Sequence, residues 1–214
     1  MQRLLQHPSR HDGRSVLASL RSLVPDRPLL FAEALQIAEL QAGRLRDLIG
    51  LADDAMPEQA IAELSRIRLV RRRLPTSGMS YWDGQSWVIA INDGEPEARQ
   101  RFTIFHEYKH IVDHGRTSLL YRDGYGHSAA ERAEQAADYF AGCVLMPKRL
   151  MKRAWGERIQ TLPRLAALFE VSPRAVEVRL AQIGLSTPRD RCSPPDRLHL
   201  SPRSARLPTR RRRT

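Results

Sequence analysis

Residues 106–110 read His-Glu-Tyr-Lys-His. On an α-helix, positions i and i+4 lie one turn apart on the same face, so His106 and His110 can offer two imidazole nitrogens to one cation. Zinc accepts such ligands at ~2.0–2.1 Å. Glu107, one position round, projects toward an open coordination position, where a carboxylate can take up a proton. A helical wheel places Thr103, Glu107, His110 and His114 in the arc of His106, with Ile104, Phe105, Tyr108, Ile111 and Val112 opposite. An amphipathic helix with solvated histidines has the same pattern. A third ligand separates the two cases, because a catalytic zinc site needs three protein ligands and a fourth, open position.

The next strong helical stretch, residues 129–146, supplies candidates. Ala133, Ala136, Ala137, Phe140, Cys143 and Val144 form its apolar face, while Glu131, Glu134 and Asp138 share a polar one. Small alanines let two helices approach closely, which brings carboxylates on the facing edge within reach of a metal. Glu134 and Asp138 stand one turn apart. That suits a division in which Glu134 ligates the metal and Asp138 accepts the spare N–H of a liganding histidine, fixing its tautomer. A solvated acidic face is the plainer alternative. His114 and His127 are rival third ligands, although His114 abuts Gly115, where a cationic side chain suits a helix C-terminus. The residues after His110 are Ile-Val-Asp-His-Gly-Arg, which departs from the Gly-and-His extension of metzincins. The site therefore looks like that of a glutamate zincin, resembling thermolysin-type enzymes in ligand set.

The stretches LPTSGMSYWDGQSWVIAIN, RQRFTIFHEYKHIVDH and EQAADYFAGCVLMP, between Leu74 and Pro147, resemble the ImmA/IrrE family of metallo-endopeptidases. The resemblance extends more loosely through residues 31–49 and on to Leu185. It implies an intracellular enzyme acting on a helix-turn-helix repressor, with His106, His110 and Glu134 as Zn²⁺ ligands and Glu107 as general base. Lys109 departs from the pattern, since many relatives have Gly there; it places a cation on the flank of the site. Tyr121, Tyr125 and His127, on the loop between the two metal-bearing helices, are candidates for the second donor to the oxyanion. The hairpin over residues 80–92 offers an edge to which a substrate strand can add.

These residues need a frame. Periodicity and turn signals predict a short helix near 15–23 and helices over 29–49 and 57–64. Strands over 68–74, 78–82 and 86–92 follow, the last two flanking Asp83-Gly84 as a hairpin. Asp93 and Pro96 open, and Gly115 closes, a helix of roughly sixteen residues. Helices over 148–155, 162–169 and 173–183 come after Pro147. The expected architecture is α+β: a small antiparallel or mixed sheet with zincin-type helices packed on it and a C-terminal helical, helix-turn-helix-like segment. The expected organisation is a flexible leader over 1–28, a zincin-like domain over 29–147, the helical segment over 148–185 and a disordered basic tail over 186–214.

The chain has 214 residues and a net charge of +11. The tail holds nine Arg against two Asp, so it carries +7 of that charge and the body is only mildly basic. A basic appendage, rather than a nucleic-acid-binding surface over the whole domain, is what the charge describes. Apolar runs are far shorter than the ~20 residues needed to cross a bilayer. Cys143 and Cys192 make no CxxC pair, which points to a reducing, cytoplasmic compartment. Leu165-Ala166, Val171-Ser172, Val176 and Leu180 have the spacing of a helix-turn-helix in which Ser172 caps the second helix. Pro173, Arg174, Glu177 and Arg179 would then face a DNA groove. Helices that complete the core or dock a substrate share this spacing, and Glu177 is a poor neighbour for phosphate. The competing function is a non-enzymatic DNA-binding regulator that uses residues 164–183 or the Arg-rich tail, with the metal site structural or sensory.

Overall fold

The computed structural model describes residues 15–51, 53, 55–124 and 126–185. The tail over 186–214 lies outside them. Three strands, β1 (Ile67–Arg72), β2 (Gly78–Trp82) and β3 (Trp87–Asn92), form a mixed sheet in the order β1-β3-β2. β1 runs parallel to β3, with Leu69 opposite Ile89, and β2 runs antiparallel to it, with Ser80 opposite Ile89. The β2–β3 hairpin turns at Asp83-Gly84, where Gly84 has φ of 100° and Asp83 Oδ1 accepts from the Gln85 and Ser86 amides. β3 is the central strand, and Val88, Ile89, Ala90 and Ile91 are wholly buried. A continuous apolar run suits a strand covered on both faces.

The helices are α1 (Val16–Arg21), α2 (Phe31–Ile49), α3 (Gln59–Ala62), α4 (Glu97–Asp113), α5 (Thr117–Leu120), α6 (Ala129–Leu145), α7 (Lys148–Gly156), α8 (Leu162–Phe169) and α9 (Pro173–Gln182). The fold is α+β, as expected. α6 packs against both α2 and α4, through Ala34, Ala38 and Ala42 of α2 and Ala136, Ala137 and Phe140 of its own apolar face. Its start is fixed by a capping box in which Ser128 accepts from the Glu131 amide and Glu131 accepts from the Ser128 amide. These interactions set the direction from which α6 presents its polar edge to α4.

Two expectations change. Residues 15–28 are part of the packed fold rather than a flexible leader: Leu20 and Val24 are buried, and Arg21 donates to the Ile111 and Val112 carbonyls at 2.7 and 3.1 Å. A guanidinium there supplies donors to carbonyls of the last turn of α4, where the helical ladder runs out. Residues 1–14 lie outside the described part. The loop expected between α4 and α6 contains α5, whose Leu120 joins Val24, Leu29, Ala34 and Ala136 in a small apolar cluster.

The helices beyond Pro147 share the core of the rest. Leu150, Met151, Leu165, Phe169, Val176 and Leu180 belong to the same apolar cluster as Phe105, Ile111 and Phe140. Arg101 donates to the Phe169 carbonyl, and Arg179 Nε to the Met146 carbonyl at 3.0 Å. Ser172 caps α9 by accepting from the Ala175 amide at 3.1 Å.

Candidate active site

α4 carries His106, Glu107 and His110 along one edge, and α6 brings Glu134 and Asp138 up to it. His106 Nδ1 lies 2.8 Å from Asp138 Oδ1, and His106 Nε2 lies 3.1 Å from Glu134 Oε2. His110 Nε2 is 3.2 Å from His106 Nε2 and 3.3 Å from Glu134 Oε1. With Nδ1–H donating to Asp138, a neutral His106 turns its remaining lone pair toward a second imidazole and a carboxylate. Three groups of acceptors then share one point, an arrangement that a cation resolves. Four ligands at ~2.0–2.1 Å in a tetrahedron stand roughly 3.3–3.4 Å apart. The observed separations of 3.1, 3.2 and 3.3 Å fit that spacing, so the residues present suit Zn²⁺.

The carboxylates make this point favourable to positive charge, whether carried by a proton or by a metal ion. Burial alone would depress the His106 imidazole, but Asp138, Glu107 and Glu134 outweigh it and hold the pKa above the ordinary value. His110 is held below its ordinary value by burial and by His106. A neutral His110 offers a lone pair.

Glu107 is only 8% exposed, and its Oε2 accepts from the Ser80 hydroxyl at 2.9 Å. The close approach of β2 to α4 depends on Gly78, because a Cβ there would meet Thr103 Cγ2 at 2.5 Å and the Ala90 carbonyl at 3.1 Å. The cluster sits in a cleft of about 610 Å³ lined by Gly78, Met79 and Ser80 of β2, by Arg99 and Phe102 of α4, and by the five clustered residues. Ser80 was not among the residues expected to matter. Its sequence carries no motif, and only the pairing of β2 with β3 aims it at the α4 carboxylate.

The other sequence candidates go elsewhere. Tyr121 is 3% exposed, and its hydroxyl donates to Asp113 Oδ2 at 2.5 Å on the inner side of α4. It is committed there and does not line the cleft. His127 is exposed, near Glu131 at 3.9 Å, and is likewise absent from the cleft lining. Tyr125 lies outside the described residues. His114 is exposed at the end of α4, its ring packed edge-on against Trp87 at 4.8 Å. Lys109 does not flank the site. It is 0% exposed, donates to Gln41 Oε1 at 2.9 Å and is bonded to Asp113. Burial pushes the ammonium below its usual pKa while Asp113 opposes the shift. The helix rotates it inward because α4 is covered on two sides, by the sheet and by α2 with α6.

Among the described residues, His106, His110 and Glu134 are the group placed to hold a metal ion, and no helix is long and apolar enough to cross a membrane. The family model described as the IrrE N-terminal-like domain, Peptidase_M78, matches residues 63–181, from the approach to β1 through most of α9. No curated protein matches the chain. A solved structure described as a Mycobacterium tuberculosis transcriptional regulator is similar, with a TM-score of 0.52 and 17% identity, over 78% of this chain and 52% of that one. The chain spans about half the length of that protein, and the likeness is one of fold.

Proposed function

Because the chain belongs to the IrrE N-terminal-like family, Peptidase_M78, whose model matches over half of it, we propose that it is a zinc-dependent endopeptidase that hydrolyses a peptide bond in a helix-turn-helix transcriptional repressor. The observation that carries the proposal is a buried carboxylate, Glu107, held by Ser80 beside three ligand atoms at tetrahedral spacing. A structural or sensory metal site has no need of such a base.

When bound by His106, His110 and Glu134, Zn²⁺ would supply Lewis acidity and lower the pKa of a water from ~15.7 toward ~7. Glu107 takes the proton of the attacking water and returns it to the leaving amine. Ser80 leaves one carboxylate oxygen of Glu107 free and fixes the plane of the group. Asp138 selects the His106 tautomer that presents Nε2. β2 is an edge strand, and its Gly78, Met79 and Ser80 line the cleft. A substrate segment in extended form has there a main-chain partner alongside the reacting atoms.

The test is to incubate zinc-loaded protein with the repressor encoded beside its gene and to look for discrete fragments. One or two cuts, abolished by a chelator and restored by Zn²⁺, support the proposal. An intact repressor, or casein degraded at a comparable rate, counts against a selective peptidase. Asp138→Ala should weaken metal affinity or activity by ~10–100-fold, as measured by zinc-competition titration. A loss as complete as that of His110→Ala would make Asp138 a ligand rather than a support.

A further inference from the structure

Behind Asp138 lies a second hollow of about 200 Å³. Arg99, Phe102 and Asp138 line both it and the catalytic cleft. Small residues create the space where α4, α6 and α9 meet, at Ala98, Gly142 and Ala175. A Cβ on Gly142 would find only Arg179 Cδ, at 3.9 Å. Phe102, Met146 and Val178 supply larger apolar walls, and Val178 is 41% exposed.

The outer wall is fixed in place. Val176 and Leu180 anchor α9 in the core, and Arg179 ties it to the Met146 carbonyl while lying over the Tyr139 ring at 5.4 Å. The face of α9 that bears Ala175, Val178 and Gln182 therefore looks onto a hollow that shares Arg99, Phe102 and Asp138 with the cleft.

We propose that this hollow is a specificity pocket that receives one large apolar side chain of the peptide substrate, of the Leu, Met or Phe class, and that α9 is its selecting wall. This rests on the peptidase function proposed for the adjoining cleft. Size is consistent, since an apolar cavity of ~150 Å³ holds benzene. Charge narrows the choice: Arg99, Arg174 and Arg179 line the hollow against the single carboxylate Asp138, and although Arg174 is paired with Glu177, a cationic side chain meets net like charge. A substrate strand on β2 brings its side chains past Asp138, and one of them drops between Phe102 and Val178. The residues with helix-turn-helix spacing then serve substrate selection.

Two measurements on the full chain test this. In the first, amide shifts of the ¹⁵N-labelled protein are followed while N-acetyl-leucinamide, N-acetyl-glycinamide or N-acetyl-lysinamide is added. Saturable shifts at Ala98, Gly142, Ala175 and Val178 with the leucine probe alone are expected, and Val178→Trp should abolish them. Equal shifts with all three probes, no saturable shift, or shifts that persist in Val178→Trp overturn the pocket. In the second, cut sites of the zinc-loaded protein are mapped in a proteome-derived peptide mixture. Leu, Met and Phe should be enriched at one fixed position from the cut bond. Val178→Trp should lower kcat/KM for those peptides by at least ~10-fold relative to peptides with Ala there. An unchanged preference in Val178→Trp overturns the pocket. Absence of any cleavage by the unaltered chain would instead count against the peptidase function, and the shift titration judges the pocket independently.

Discussion

Glu107→Gln should bind Zn²⁺ with unchanged stoichiometry and lose at least ~100-fold in single-turnover cleavage. General bases contribute typically ~10²–10⁴-fold, and an amide keeps the shape of the side chain while offering no site for the proton. Ser80 can still donate to the amide oxygen, so the Gln should hold its place and the loss should fall on the chemical step rather than on binding. Metal analysis with rapid-quench kinetics separates the two effects. Cleavage within tenfold of the unaltered protein would remove Glu107 from the role of base.

The second large effect is expected from Glu134→Ala. One of three ligands goes, and affinity for Zn²⁺ should fall by more than the ~10–100-fold typical of outer-shell changes. The fold should not suffer. The Glu134 side chain is 62% exposed, whereas α4 and α6 are held together by buried residues such as Tyr108, Phe140, Ala137 and Ala141. Equilibrium dialysis reads the metal, and a urea titration of the apo protein should shift by no more than ~0.5 kcal/mol, as for surface changes. Unchanged affinity would exclude Glu134 as a ligand, and a collapse of stability would show that the carboxylate serves the fold.

What was legible in the sequence follows from which interactions are local. The spacing of His106, Glu107 and His110 is a property of one helix, and Pro96 and Gly115 mark the ends of that helix through local backbone preferences. The pairing of Asp138 with a liganding histidine was legible because both helices were strongly periodic and the chemistry of a liganding imidazole asks for such a partner; that the histidine is His106 was not. Ser80 was not legible: its bond to Glu107 spans 27 residues and depends on the strand order, which a turn signal alone does not fix. Lys109 was misjudged for a similar reason. A lysine beside a histidine ligand looks solvent-facing until Gln41, 68 residues away, is known to meet it. Tyr121 looked available to the site because its loop joins the two metal-bearing helices, yet its hydroxyl turns inward to Asp113.

The two positions between Glu107 and His110 are both wholly buried, as Tyr108 and Lys109. Lys109, Gln41, Asp113 and Tyr121 form one buried run of donors and acceptors, which Gln41 extends to the Leu20 carbonyl. Exchanging Lys109 alone leaves the buried Asp113 carboxylate with the Tyr121 hydroxyl but no counter-charge, a loss of up to ~3–5 kcal/mol, whereas exchanging both Lys109 and Asp113 for well-packed apolar residues removes the uncompensated charge. On this reasoning Lys109 and Asp113 are expected to be sign-epistatic in evolution. A drifting lineage can cross from the ionic to the apolar version only through paired changes, and the helix that holds the catalytic residues inherits this constraint although neither residue touches the reacting atoms.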